Sequence, residues 1–150
     1  EVKDLMLLKV GSLSEEEQKL VEELNLKDTL INLQNIPFAQ LVEVYNVGDV
    51  LLFPSWYEGL GNPPIESMAC GCPVIASYGD PAYEIVADNG FTAKPDDIES
   101  MKKYVIKLLN NKKLRDTLGN KSFKAIQKYT WKVLAKQHEK IYEEVYKESH

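Results

Sequence analysis

The chain has 150 residues, and its 18 basic against 23 acidic side chains leave a formal net charge of -5, which offers no general electrostatic footprint for nucleic acid or an anionic lipid surface. A 44% hydrophobic and 27% charged content fits one globular domain, residues 1–150, large enough to bury a core yet small for a complete two-substrate enzyme. No uninterrupted apolar run is long enough to cross a bilayer, so no membrane span is expected.

Along the chain, Leu5-Met-Leu-Leu-Lys-Val10 is a short apolar run ended by Gly11, and Ser14 with Glu17 forms a capping box that opens a helix. Leu20, Val21, Leu24 and Leu26 supply that helix with an apolar face, and Thr29–Leu33 returns to a strand pattern. Pro37 suits the first turn of a second helix, whose Leu41, Val42, Val44 and Tyr45 face inward until Gly48 stops it. Asp49-Val-Leu-Leu-Phe53 then predicts a strand covered on both faces, at the centre of the sheet.

Pro73–Ala76 predicts a further strand, Pro81–Ala87 a short helix and Gly90–Ala93 an edge strand. From Asp96 the pattern is helical to the end. Ile98, Met101, Val105, Leu108 and Leu109 form one apolar face before Asn110-Asn111 interrupt it. Leu114, Leu118, Phe123 and Ile126 serve the next helix, and Trp131, Leu134, Ile141, Tyr142 and Val145 the last, which Thr130 caps. Repeated strand and helix predict an α/β fold: a three-layer parallel sheet with helices on both faces and C-terminal helices appended.

Between the strand ending at Phe53 and the strand starting near Pro73 lies Pro54-Ser-Trp-Tyr-Glu58-Gly-Leu-Gly-Asn-Pro-Pro-Ile-Glu66-Ser-Met-Ala-Cys-Gly-Cys72, with two carboxylates around a Gly-Leu-Gly turn. Open parallel sheets bind ligands beyond the carboxyl ends of their strands, and this segment falls there. Gly59 and Gly61 let backbone approach a ligand, Asn62 can cap, and Pro63-Pro64 start a helix whose unpaired N–H groups attract an anion. Glu58 and Glu66 offer acceptors for hydroxyl groups, so a ligand carrying both phosphate and a polyol suits the segment.

Each feature also has a plainer account. On position alone, a Glu66 in the first helical turn fits dipole compensation as well as ribose binding, and Glu58 fits a solvated loop charge. Trp56 and Tyr57 fit packing or the wall of a sugar site, and Tyr78-Gly-Asp80 fits a plain turn capped by Asp80 better than a second ligand loop. His138 and His150 fall in the terminal helix and its end, so no metal and no His-based nucleophile is expected. Cys70 and Cys72, one residue apart, suit buried free thiols, and with no signal peptide the expected location is cytoplasmic.

Pro54-Ser55, Glu58-Gly-Leu-Gly61, Pro64, Glu66-Ser-Met-Ala69, Gly71 and Pro73-Val-Ile75 together resemble the signature of the carboxyl-terminal half of retaining nucleotide-sugar glycosyltransferases of family 4, which have the GT-B fold. Leu60 stands where the family usually has phenylalanine and Ser67 where it has alanine. The resemblance runs from Val10-Gly11 through Asp49-Val50 and Glu84 to Tyr129-Thr-Trp131. It implies a Rossmann-like domain whose Glu58, the catalytic candidate, hydrogen-bonds donor-sugar hydroxyls. It further implies that Glu66 binds the ribose and that the backbone of Gly59, Leu60 and Gly61 contacts sugar and phosphate, with a nucleotide diphosphate sugar as substrate and neither metal nor other cofactor.

The family's diphosphate-binding arginine and lysine, its first strand and its amino-terminal acceptor domain have no counterpart here. The resemblance therefore implies the donor half of a larger enzyme of polysaccharide biosynthesis, inactive alone, whose membrane association, if any, is peripheral and runs through the missing half. Two readings compete: half of a sugar-nucleotide epimerase or glycogen-type phosphorylase, which share the architecture, and a non-catalytic nucleotide-binding or scaffold module.

Overall fold

Runs of branched and apolar residues between turn signals become five short strands in the computed structural model, which describes residues 2, 4–78 and 83–149. They are β1 (Leu7–Val10), β2 (Leu30–Leu33), β3 (Leu51–Phe53), β4 (Val74–Ser77) and β5 (Phe91–Ala93). The helices between and after them are α1 (Glu15–Glu23), α2 (Phe38–Val47), α3 (Asn62–Ala69), α4 (Tyr83–Val86), α5 (Ile98–Leu109), α6 (Lys112–Ile126) and α7 (Trp131–Glu148). The predicted alternation is thus observed, and all pairings are parallel.

The strands form two sheets. β1 pairs with β2, and β3, β4 and β5 follow one another in a second sheet; among the described residues no pairing joins the two. The residues 49–53 segment is therefore not the centre of a continuous sheet. Among the described residues β3 has a neighbour on one side only and leaves Leu52 40% exposed, whereas all four residues of β4 are buried. An apolar run marks a strand well enough but does not say on which side its neighbours lie.

Side chains of β4 alternate between two apolar layers. Val74 and Ala76 pack with Met68 of α3, Ile85 and Val86 of α4 and Ile126 of α6. Ile75 faces the other way, into Ala93 of β5 and Met101 and Leu108 of α5, with Leu114 and Leu118 of α6 against them. Helices therefore cover both faces of this sheet, the three-layer arrangement expected from the sequence. Arg115 closes one end: its guanidinium donates at 2.7 Å to the carbonyls of Leu108 and Leu109, which end α5, and pairs at 3.0 Å with Asp49 ahead of β3.

The β1–β2 unit is held differently. Asn32 spans the strand pair, its amide donating to the carbonyls of Lys9 at 3.1 Å and Gly11 at 2.7 Å. The capping box of α1 forms as read: the Glu17 N–H donates to the Ser14 hydroxyl at 3.1 Å, and the Ser14 N–H to the Glu17 carboxylate at 2.8 Å. Yet α1 buries no residue, and Leu20 and Leu24 are half exposed. Periodicity identifies an apolar face and leaves open whether anything covers it.

Two more inward assignments differ from the periodic reading. Ile98 and Phe123 are exposed, while Gly119 and Ser122 of α6 are buried. Small residues line α6 because it meets backbone there: the Ser122 hydroxyl donates at 2.8 Å to the carbonyl of Asn89, and a Cβ at Gly119 would overlap the carbonyl oxygen of Gly71. Gly71 has φ +73° and sits in the turn from α3 to β4, which Ser67 closes through a 3.2 Å bond to the Cys72 carbonyl. Thr130 caps α7 as predicted, accepting from the Val133 N–H at 3.4 Å. The apolar face of α7 stays uncovered by the described residues, with Trp131 88% exposed and no residue of the helix buried.

Replacing Gly119 by alanine forces α6 away from the α3–β4 turn, since neither partner is a movable side chain. The expected cost is about 1–3 kcal/mol in urea denaturation, with the slope unchanged. Burial pushes the thiols of Cys70 and Cys72 above the ordinary thiol range, assisted at Cys70 by the charge of Glu66. Both are therefore neutral at pH 8. In labelling with a thiol reagent the half-buried Cys70 should react slowly and faster as pH rises, while the buried Cys72 should react only on unfolding.

Candidate functional site

β3 ends at Phe53, and the chain reaches α3 through a loop spanning residues 54–61, at the carboxyl end of the three-stranded sheet. Gly61 sets the geometry of that loop. It is buried, holds φ +73° and ψ 70°, and occupies the N-cap position of α3, a conformation that an L side chain resists. Asn62 is thus the first helical residue and not the cap, and no side chain caps this helix.

Backbone donors at this end can be counted. Pro63 and Pro64 carry no N–H, so the helix start offers fewer donors than its position in the sequence suggests. The N–H groups of Gly59, Leu60, Gly61 and Asn62 are what is left, and among the described residues none of these has an acceptor. A Cβ on Gly59 would meet nothing within 4 Å, so the loop is open on that side. Consecutive unpaired N–H groups at a helix start form a concavity suited to an anion.

Glu58 is half buried in this loop, and its Oε1 accepts from the Ser55 hydroxyl at 3.0 Å. Trp56 and Tyr57 are 74% and 90% exposed, so neither is packed into the core of this chain. Leu60, also exposed, makes the third side chain on the rim.

Glu66 is the fifth residue of α3, one turn further in than expected. Because the field of a helix end fades within its first turn, dipole compensation is a poor account of this carboxylate. Its Oε2 accepts at 3.0 Å from the hydroxyl of Tyr45, the one buried residue of α2. Among the described residues, Oε1 of Glu66 has no hydrogen-bond partner. Burial, reinforced by the bond to Glu66, pushes the Tyr45 hydroxyl well above its ordinary range, so it remains a donor at neutral pH.

Tyr45 and Ser55 are the two residues that the sequence reading did not attach to the site. The periodic pattern of α2 turns Tyr45 inward, and a buried tyrosine hydroxyl needs a partner, which is the signal the sequence offers. Ser55 lies three residues from Glu58, a spacing at which loop hydroxyls commonly find an acceptor. Ser77 ends the neighbouring strand β4 with a buried hydroxyl that has no partner among the described residues. Gly79 and Asp80, the second candidate loop, lie outside the described residues.

Arg115, the chain's single arginine, is engaged at the α5–α6 end. His138 lies on α7, its Nδ1 2.8 Å from the Leu134 carbonyl, and among the described residues no group of three His, Cys, Asp or Glu could hold a metal ion. No helix among them is long and apolar enough to cross a membrane.

Residues 1–125 match the model of the family described as glycosyl transferases group 1. The capsular polysaccharide biosynthesis glycosyltransferase CapM of Staphylococcus aureus is 30% identical over 155 residues, covering 97% of this chain and 40% of that protein. The O-antigen chain mannosyltransferase B of Escherichia coli is 28% identical over 96 residues, covering 64% of this chain and 25% of its own length. Among solved structures, sucrose-phosphate synthase of Thermosynechococcus elongatus superposes with a TM-score of 0.85 at 28% identity, over 94% of this chain and 38% of that one. HepE of Anabaena, determined in complex with UDP, has a TM-score of 0.80 at 21% identity, over 95% and 42%, and shares the fold. The chain thus spans well under half the length of each of these proteins. A family match of this extent, on parallel strands packed as in those structures, establishes kinship: the chain belongs to the glycosyl transferases group 1 family.

Proposed function

We propose that the chain is the donor-binding half of a retaining glycosyltransferase, which in its complete form moves a sugar from a nucleotide diphosphate to an acceptor hydroxyl. The observation that carries this reading is the row of unpaired N–H groups from Gly59 to Asn62, flanked by the carboxylates of Glu58 and Glu66. The diphosphate, the anionic part of such a donor, takes the N–H groups. Hydroxyls take the acids: Glu58 the sugar, Glu66 the ribose. Relatives described as mannosyltransferases and a structural neighbour determined with UDP fit the same substrate class.

Retaining transfer accumulates charge on the departing diphosphate as the glycosidic bond breaks. Fixed N–H dipoles stabilise that charge without reorganising, while Glu58 keeps the sugar oriented for attack. The proposed reaction uses no metal. A second source of positive charge is required; Arg115 is committed to the α5–α6 end, and the resemblance to the family assigns the diphosphate-binding arginine and lysine to sequence ahead of β1.

The same outside sequence completes the sheet. β1 and β3 are each bonded on one side only, and one additional parallel strand between them would join both sheets in the order β2, β1, new strand, β3, β4, β5, a doubly wound order with its switch point at the proposed site. We assign that strand, the diphosphate-binding cations and an acceptor domain to the remainder of the enzyme, and the uncovered face of α7 to contact with it.

Calorimetry of the chain with UDP-, GDP- and ADP-sugars tests the donor site. One of them should bind, and Glu66→Ala should weaken it at least about tenfold, the effect of losing hydrogen bonds to a charged acceptor. Equal heats for wild type and variant would instead favour a scaffold module. With any of these donors and simple sugar acceptors, the chain alone should release no transferred sugar above the no-protein control; measurable transfer would refute its assignment as half an enzyme.

A further inference from the structure

Glu66 has three rotatable bonds and sits in the second turn of an eight-residue helix, where an unrestrained carboxylate would sample several orientations. It is restrained from another element. Tyr45 projects from α2, is 8% exposed, and ends in a hydroxyl 3.0 Å from Oε2, while Oε1 is free of partners among the described residues. Its ring is the one side chain that α2 buries, so ring and hydroxyl act on different things: the ring docks α2, and the hydroxyl holds an acid of α3.

We propose that Tyr45 is a positioning residue for nucleotide recognition, its hydroxyl fixing the Glu66 carboxylate by Oε2 so that Oε1 is presented to a ribose hydroxyl. This rests on the donor-site reading of Glu66. The chemistry is directional. A neutral phenol donates one proton and leaves the second carboxylate oxygen to accept, whereas phenylalanine would fill the same space and donate nothing. The elevated proton affinity of Tyr45 keeps that donor in place across the neutral range.

The test is calorimetry on the chain and its Tyr45→Phe variant, with UDP, GDP and ADP and the 2′,3′-dideoxy form of whichever binds. Wild type should prefer the ribose form. Tyr45→Phe should lose about tenfold in affinity for the ribose form and nothing for the dideoxy form, which lacks the hydroxyls Glu66 would read. The variant should stay folded, its urea midpoint lowered by no more than the loss of one hydrogen bond to a charged acceptor, because the ring remains. Tyr45→Phe binding both forms as wild type does would overturn the proposal, and so would equal loss for both forms, which marks a packing role. A wild type that binds neither form, or both alike, would overturn the ribose reading of Glu66 itself and this inference with it. The two failures are thereby told apart.

Discussion

Helix α3 begins on a buried glycine with positive φ and continues through Asn62 into two prolines, and the candidate site follows from how that start disposes of its backbone N–H groups. Pro63 and Pro64 remove donors from the helix, and the left-handed turn at Gly61 leaves those of the loop unpaired. A helix start without a side-chain cap is ordinarily satisfied by water or a ligand. Here the unpaired groups lie between two acids of one signature, and each acid is itself held: Glu58 by Ser55, Glu66 by Tyr45. Such an arrangement sets fixed N–H dipoles beside two acceptors whose orientations are restrained.

The rigidity behind the loop comes from β4. Three of its four buried residues, Val74, Ile75 and Ala76, divide between two apolar layers, so the strand is gripped from both sides, and the turn that feeds it is closed by Ser67 and pressed by Gly119. α3 thereby has both ends specified, one by Gly61 and one by the Gly71 turn. Glu66 lies between them. Precision at a binding residue is obtained from elements whose own positions allow little choice.

Parts further from β4 are held less tightly. The β1–β2 pair relies on the Asn32 clamp, α1 buries nothing, and α7 keeps an apolar face that no described residue covers. The free edge of β1 is where the proposed additional strand pairs. Relatives more than twice as long supply the chain length for that contact.

Alternation of strand and helix, the capping box at Ser14, the Thr130 cap and the acid-flanked glycine signature were all determined by the sequence alone, because each depends on residues within a few positions of one another. Tertiary structure decided what depends on distant neighbours. It set β4 between two neighbours in the described three-stranded sheet with β3 at its edge, buried Gly119 and Ser122 in place of Phe123, moved Glu66 into the second turn and brought Tyr45 to it across 21 residues of sequence. Local spacing records which faces are apolar and which bonds lie one turn away. Which face is covered, and which acid meets which hydroxyl, is settled only when separate elements pack.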